Sequence, residues 1–206
     1  MMMTLDPITL IVLVMLLVWI VQALRILLSQ KRFTWKAGLN MIASCCLIVG
    51  AVGFFGTFLS MKLPNSFEWP VGQTDAAIIL DEGTTIVPHE PSGRVQIYND
   101  QLIFQRGWVV NGGGGPFKLT QGSDRNFYVH ASRTDRTYLY DLNGNVLSTE
   151  NLKSGQYSKI SAASNRVEVP TPFYLKLFTS PIGPWLVAAF GMFLLFLTGE
   201  GRGKKA

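Results

Sequence analysis

Three apolar runs, residues 7–28, 39–61 and 181–198, hold 22, 23 and 18 residues and only one ionisable side chain, Arg25. A helix rises 1.5 Å per residue, so a hydrocarbon core of roughly 30 Å takes about 20 residues to cross, and each run is near that length. The expected fold is therefore a membrane protein with three transmembrane α-helices. With 48% hydrophobic and 15% charged residues, the composition excludes a disordered chain and an ordinary soluble enzyme.

The charges flanking the runs set an orientation. Asp6 and Pro7 suit the start of the first helix, Arg25 lies in its last turn, and Lys31, Arg32 and Lys36 follow. A signal peptide has the reverse order, with its basic region first, although Val21-Gln22-Ala23 has the small residues of a cleavage site. The loop after the first run and the tail with Arg202, Lys204 and Lys205 are both basic, which puts both on the cytoplasmic side. The N-terminus and residues 63–172 then lie outside and the C-terminus inside, in what we expect to be a bacterial inner (plasma) membrane. The expected regions are 1–62, with the first two spans; 63–172, an extracytoplasmic domain; and 173–206, with an interfacial lead-in, the third span and the basic tail. The outer region carries 11 acidic and 9 basic residues, so the net charge of +5 belongs to the membrane flanks and nucleic-acid binding is not expected. The lipid bilayer is the expected environment.

Along the second run Ala43, Cys46, Gly50, Gly53, Thr57 and Ser60 recur every three or four residues and so share one helical face. Small residues let helix backbones approach closely in lipid. This stripe is the expected helix-packing interface, joining either two copies of the chain or two helices of one copy. Cys45 and Cys46 both lie in this run, so the outer domain has no disulfide framework and depends on packing. No ionisable residue occupies the middle of a run, which argues against a transport pathway.

From Asp75 onward, short β-branched and aromatic runs alternate with turn residues, which predicts strands at 76–80, 84–88, 94–98, 102–105, 117–120, 126–130, 137–140 and 146–149, with further strands at 159–163 and 166–169. Shifted by 42 residues, 84–99 superposes on 126–141: Val87 meets Val129, Arg94 meets Arg136 and Tyr98 meets Tyr140. A four-stranded unit of this length has the size of a β-propeller blade. The units would be about 75–117 and 118–159, followed by a half repeat. Phe127-Tyr128-Val129, Asp135-Arg136, Leu139-Tyr140-Asp141 and Gly144-Asn145-Val146-Leu147 resemble the NHL-like repeats of six-bladed propellers, and Arg94-Val95-Gln96-Ile97-Tyr98 resembles their central strand. In the first unit, Gln101 and Leu102 replace the glycine turn. The resemblance implies an all-β domain of antiparallel, blade-like repeats with a binding or scaffolding surface, and it carries no catalytic residue over. Two blades cannot close a ring, so either other chains complete one or the strands form a smaller open sheet.

Little else points to chemistry. His89 and His130 are the only imidazoles and no outer cysteine accompanies them, so surface turns are a better reading than a zinc site on a shared rim. The 141–145 segment reads as a hairpin, since its glycine is too early for a calcium loop, and the glycines after Asn111 read as a connection. No catalytic residue, metal or cofactor is expected. The expected function is a non-enzymatic, membrane-anchored interaction or scaffold subunit that docks a partner protein or itself as a homo-oligomer. The alternative is a surface receptor or exclusion factor for an extracellular ligand such as a carbohydrate, peptide or phage component.

Overall fold

The computed structural model describes residues 14, 17, 18, 20, 21, 24, 25, 28, 35–60 and 63–198. The chain divides into two compact units, one of residues 1–59 with 180–206 and the other of residues 60–179.

The first unit contains helices α1 (Trp35–Leu59) and α2 (Ile182–Thr198). α1 is free of proline and is the one described helix long and apolar enough to cross a membrane, with a mean hydropathy of 2.2. α2 is capped by Ser180, whose Oγ accepts the Ile182 N–H at 3.3 Å, and Pro184 falls in its first turn, where a missing N–H costs nothing. Its 17 residues rise only about 26 Å, short of a full hydrocarbon core. Eight residues of the first apolar run are described, all of them helical, and the rest lies outside the described residues. Of the three expected spans, one helix among the described residues has the necessary length and apolar character.

The second unit is built of antiparallel strands β1 (Gln73–Ile79), β2 (Thr85–His89), β3 (Arg94–Tyr98), β4 (Phe104–Val109), β5 (Phe117–Gln121), β6 (Phe127–Ala131), β7 (Arg136–Tyr140), β8 (Val146–Asn151) and β9 (Asn165–Glu168). The sheets run β4-β3-β2-β1-β9 and β5-β6-β7-β8, and among the described residues they form no closed ring. One expected strand is absent. Residues 156–159 make a helical turn instead, with Gly155 at φ 74° and Gln156 Oε1 accepting the Lys153 N–H, and 160–164 carry no regular structure.

The 42-residue offset holds at the level of individual pairs. Ile78 pairs with Ile86 as Thr120 does with Tyr128, and Val87 with Gln96 as Val129 does with Tyr138. After a bulge in each unit, Tyr98 pairs with Phe104 as Tyr140 does with Val146. Asn99 Oδ1 accepts the N–H groups of Gln101 and Ile103, and Asp141 Oδ1 those of Asn143 and Asn145. Leu102, at φ 56°, takes the left-handed place that Gly144 fills at φ 87°. A leucine is strained there, and its side chain packing against the core offsets the strain. The missing glycine signature of the first unit thus conceals the same turn.

Strand alternation sends each unit's residues to two faces. Ile78, Ile86, Val95, Ile97 and Trp108 of the first sheet meet Phe117, Leu119, Phe127, Val129, Tyr138 and Tyr140 of the second in one core. The opposite face of the first sheet, with Val87 and Tyr98, is covered by Val71, Val167 and Val169. Tyr98 and Tyr140 are both buried on the same face of their units, one beneath this cover and the other against the neighbouring sheet.

Arg94 is placed unlike its repeat partner Arg136. Placed at a turn-to-strand entry, it should be solvated like Arg136, yet it is fully buried whereas Arg136 is exposed. Its Nη1 donates to the carbonyls of Ser60 and Leu63, both at 3.1 Å, and its Nη2 to those of Pro64 at 3.2 Å and Phe67 at 3.3 Å. Burial lowers its pKa from the ordinary arginine value, but a guanidinium remains charged. Two residues on, Gln96 Oε1 accepts the Trp69 N–H at 2.6 Å and its Nε2 donates to the Trp69 carbonyl at 2.8 Å. Irregular backbone is thereby satisfied over the sheet without a partner strand.

We expect Arg94→Met to destabilise the β-domain by at least about 3 kcal/mol, since each buried carbonyl left without a donor costs about 1–3 kcal/mol. Arg136→Met should change stability by no more than about 0.5 kcal/mol, as exposed substitutions do. Urea unfolding followed by tryptophan fluorescence measures both, and equal costs would refute the distinction.

Candidate interaction surfaces

The repeat makes the outer edges of the two sheets directly comparable. Val110 N–H donates to the Gly93 carbonyl and Leu152 N–H to that of Asp135, which fixes the hydrogen-bonding parity of β4 and β8 as the same. Gln96 opposite Gly107, and Tyr138 opposite Thr149, are then non-hydrogen-bonded pairs whose outer-strand N–H points away from the sheet. Gly107 spends its N–H on the Asn65 carbonyl at 2.8 Å, within the segment that Arg94 grips. A side chain on Gly107 would meet Gln96 Cγ and the Val95 carbonyl at 3.0 Å, so glycine keeps this approach open. Among the described residues nothing takes the corresponding N–H of Thr149. All six residues of β8 are exposed, including Val146 and Leu147, and the strand contains no proline or lysine to guard it.

The expected surface turns do not hold the histidines: His89 lies on β2 and His130 on β6. They are 41 residues apart in a 42-residue repeat, so alternation turns them to opposite faces. His89 is buried, with Nδ1 2.6 Å from Ser92 Oγ and Nε2 2.9 Å from the Thr179 carbonyl, which makes Nε2 the protonated nitrogen. His130 lies between Thr120 Oγ1 at 2.9 Å and Thr137 Oγ1 at 2.8 Å. Burial lowers the pKa of both below the ordinary histidine value, with Lys118 adding to the effect on His130, so both are neutral at pH 7. Among the described residues no group of three His, Cys, Asp or Glu side chains is placed to hold a metal.

A cleft of about 500 Å³ opens at the turn end between the two β-repeats, lined in part by Asn99, Arg106, Arg125 and Asp141. Its polar groups are largely engaged. Arg106 Nη1 donates to Asn143 Oδ1 at 2.6 Å and Arg125 Nη2 lies 2.7 Å from Glu82 Oε1. Asp141 takes three donors, from Asn143 N and from Asn145 N and Nδ2, each at 2.8 Å. Slight burial raises the Asp141 pKa, but these hydrogen bonds outweigh it and hold the carboxyl below its ordinary value. In the glycine-rich connection, the Gly113 carbonyl accepts from Arg133 Nη1 at 3.0 Å.

Of the small-residue stripe, Ala43, Gly50, Gly53, Thr57 and Ser60 are buried and Cys46 is half-buried. Ser60 belongs to the second unit. Within the first unit α1 packs on α2 at near backbone contact. A Cβ on Gly50 would fall 2.6 Å from Ala188 Cβ and the Pro184 carbonyl, and one on Gly191 would fall 2.7 Å from the Ala43 carbonyl. The seam therefore draws glycine from both helices, and at Ala43, Cys46 and Gly50 the stripe meets the chain's own C-terminal helix.

Comparison with models of known protein families, with characterised proteins and with solved structures returned no match.

The burial of Arg94, the Asn65–Gly107 contact and the open edge at Thr149 were not anticipated from the sequence. The first was legible as alternation, because Arg94, Gln96 and Tyr98 share a face, but nothing local says that this face is covered. For the helix pair, we expect Gly50→Leu and Gly191→Leu to lower the melting temperature of the detergent-solubilised chain by similar large amounts, as overpacking a close helix contact does. Tolerance of Gly191→Leu would show that α2 does not seat on α1.

Proposed function

We propose that the chain is a non-enzymatic, membrane-anchored interaction subunit whose extracytoplasmic β-domain docks a partner protein or a second copy of itself through the outer edge of β8. The observation that carries this reading is the contrast between two equivalent edges, one covered by residues 63–67 and the other bare. An extended backbone laid beside β8 would complete the second unit as Asn65 completes the first. The repeat's likeness to NHL-like propeller blades agrees with a docking role.

In this proposal the bilayer is crossed by α1, α2 and the first apolar run, with residues 63–172 outside and both basic flanks in the cytoplasm. The hydropathy of α1 and the order of basic residues support it. A tag at 111–115 should then be labelled by an impermeant reagent in intact cells, while tags after Lys36 and at the C-terminus should be protected. The opposite accessibility would overturn the orientation.

Docking is tested by native mass spectrometry of the gently solubilised complex. The unaltered chain should exceed the mass of one copy, and Thr149→Pro should release it, because proline removes the outward N–H while leaving the ladder to β7 intact. A single-chain mass for the unaltered protein, or a complex indifferent to Thr149→Pro, would sink the edge as the docking surface.

A further inference from the structure

The two repeats share a register but not a chemistry on the face that points onward along the stack. In the first unit that face carries Ile78, Ile86, Val95 and Trp108, which seal against the second sheet. The same positions in the second unit hold Thr120, Tyr128, Thr137 and Glu150. A terminal repeat needs a polar outer face, and scattered charges alone would meet that need. Here the polar groups instead surround a pocket of about 330 Å³.

The pocket is formed because residues 152–160 fold across the face. Lys118 Nζ donates to the carbonyls of Ile160 at 2.8 Å and Tyr157 at 3.2 Å, and the Ala163 N–H reaches the Leu119 carbonyl at 2.8 Å. These contacts raise a wall that includes Leu152, Gln156 and Ile160. Its floor is fixed by His130, whose two ring nitrogens are taken by Thr120 and Thr137 and whose ring stacks with Tyr128 at 6.1 Å and 21°. Among the described residues no hydrogen bond or ion pair engages the Glu150 carboxylate.

We propose that this pocket binds a neutral sugar ring. A sugar hydroxyl both donates and accepts, which matches the acceptor Glu150 beside the amides of Gln121 and Gln156. Tyr128 offers an aromatic surface to the ring's C–H face. The volume lies at the small end of ligand pockets and suits one ring. An anion would meet the carboxylate of Glu150 while the Lys118 ammonium is turned to backbone carbonyls. A metal ion would find one carboxylate and a histidine with both nitrogens occupied. A small cation would pair with Glu150 but leave the amide donors unmatched, and Lys118 beside His130 opposes it. Glu150 belongs to β8, but its side chain stands on the sheet face that lines the pocket whereas docking uses the strand's outward backbone groups, so neither reading depends on the other.

Saturation-transfer NMR on the detergent-solubilised full chain tests it, with glucose, galactose and N-acetylglucosamine as probes and with ethanolamine and inorganic phosphate in parallel. At least one sugar should receive saturation at millimolar concentration. Glu150→Gln, an exposed and nearly isosteric change, should weaken it about tenfold, the loss expected when a charged hydrogen-bond partner is removed. Tyr128→Leu should weaken it similarly while leaving the near-ultraviolet circular dichroism of the tryptophans in place, and Glu168→Gln, on β9, should have no effect. Absence of transfer to all three sugars, binding of ethanolamine or phosphate alone, or sugar binding indifferent to Glu150→Gln and Tyr128→Leu would each overturn the assignment.

Discussion

A single guanidinium decides how the β-domain ends. A sheet face left open at the start of a repeat exposes apolar side chains, and an irregular chain segment laid over it buries carbonyls that have no strand to pair with. Arg94 resolves both difficulties at once, because its planar fork reaches the carbonyls of Ser60, Leu63, Pro64 and Phe67 from one buried position. Gln96 continues the task by pairing with the Trp69 backbone as a neighbouring strand would. Lysine could not replace Arg94, since one ammonium has three donors at a point and no fork to spread over four acceptors.

The two units then show how a repeat is terminated at both ends without closing. At the leading face, residues 63–71 take the place of a preceding sheet, held by the Arg94 clamp, while Val167 of β9 and Val169 pack with Val71 against Val87 and Tyr98. At the trailing face, polar residues replace apolar ones and 152–163 fold back under Lys118. Each cap satisfies backbone carbonyls with one long cationic side chain, Arg94 at one face and Lys118 at the other. The caps leave exposed the strand edge at β8 and a polar pocket beneath residues 152–160.

Membrane and β-domain features support the interaction reading in different ways. The close seam between α1 and α2 occupies Gly50 and Gly191, so this part of the stripe is engaged within the chain. The bare strand edge lies in the β-domain. The histidines illustrate the same economy. Both are engaged by neighbouring groups, His89 by Ser92 and the Thr179 carbonyl and His130 by the two threonines of the pocket floor.

Much of this was legible in the sequence, and the limits have physical causes. The 42-residue period, its antiparallel strands and the turns at Asn99 and Asp141 follow from local patterns, since alternation and turn chemistry are set by neighbours in the chain. The expected strand at 159–163 failed because Gly155 and Gln156 form a helical turn that local β-propensity did not reveal. Arg94 and Arg136 look alike in the sequence because they occupy the same step of the repeat. Only the tertiary structure separates them: one lies beneath backbone that returns from residues distant in the chain, the other faces water. Burial depends on which surfaces meet across long separations, and no local period encodes that. The sequence by itself determined the apolar helices, the repeat and its register; the capping of its two faces, the seating of α2 on α1 and the emptiness of the β8 edge were decided by long-range packing.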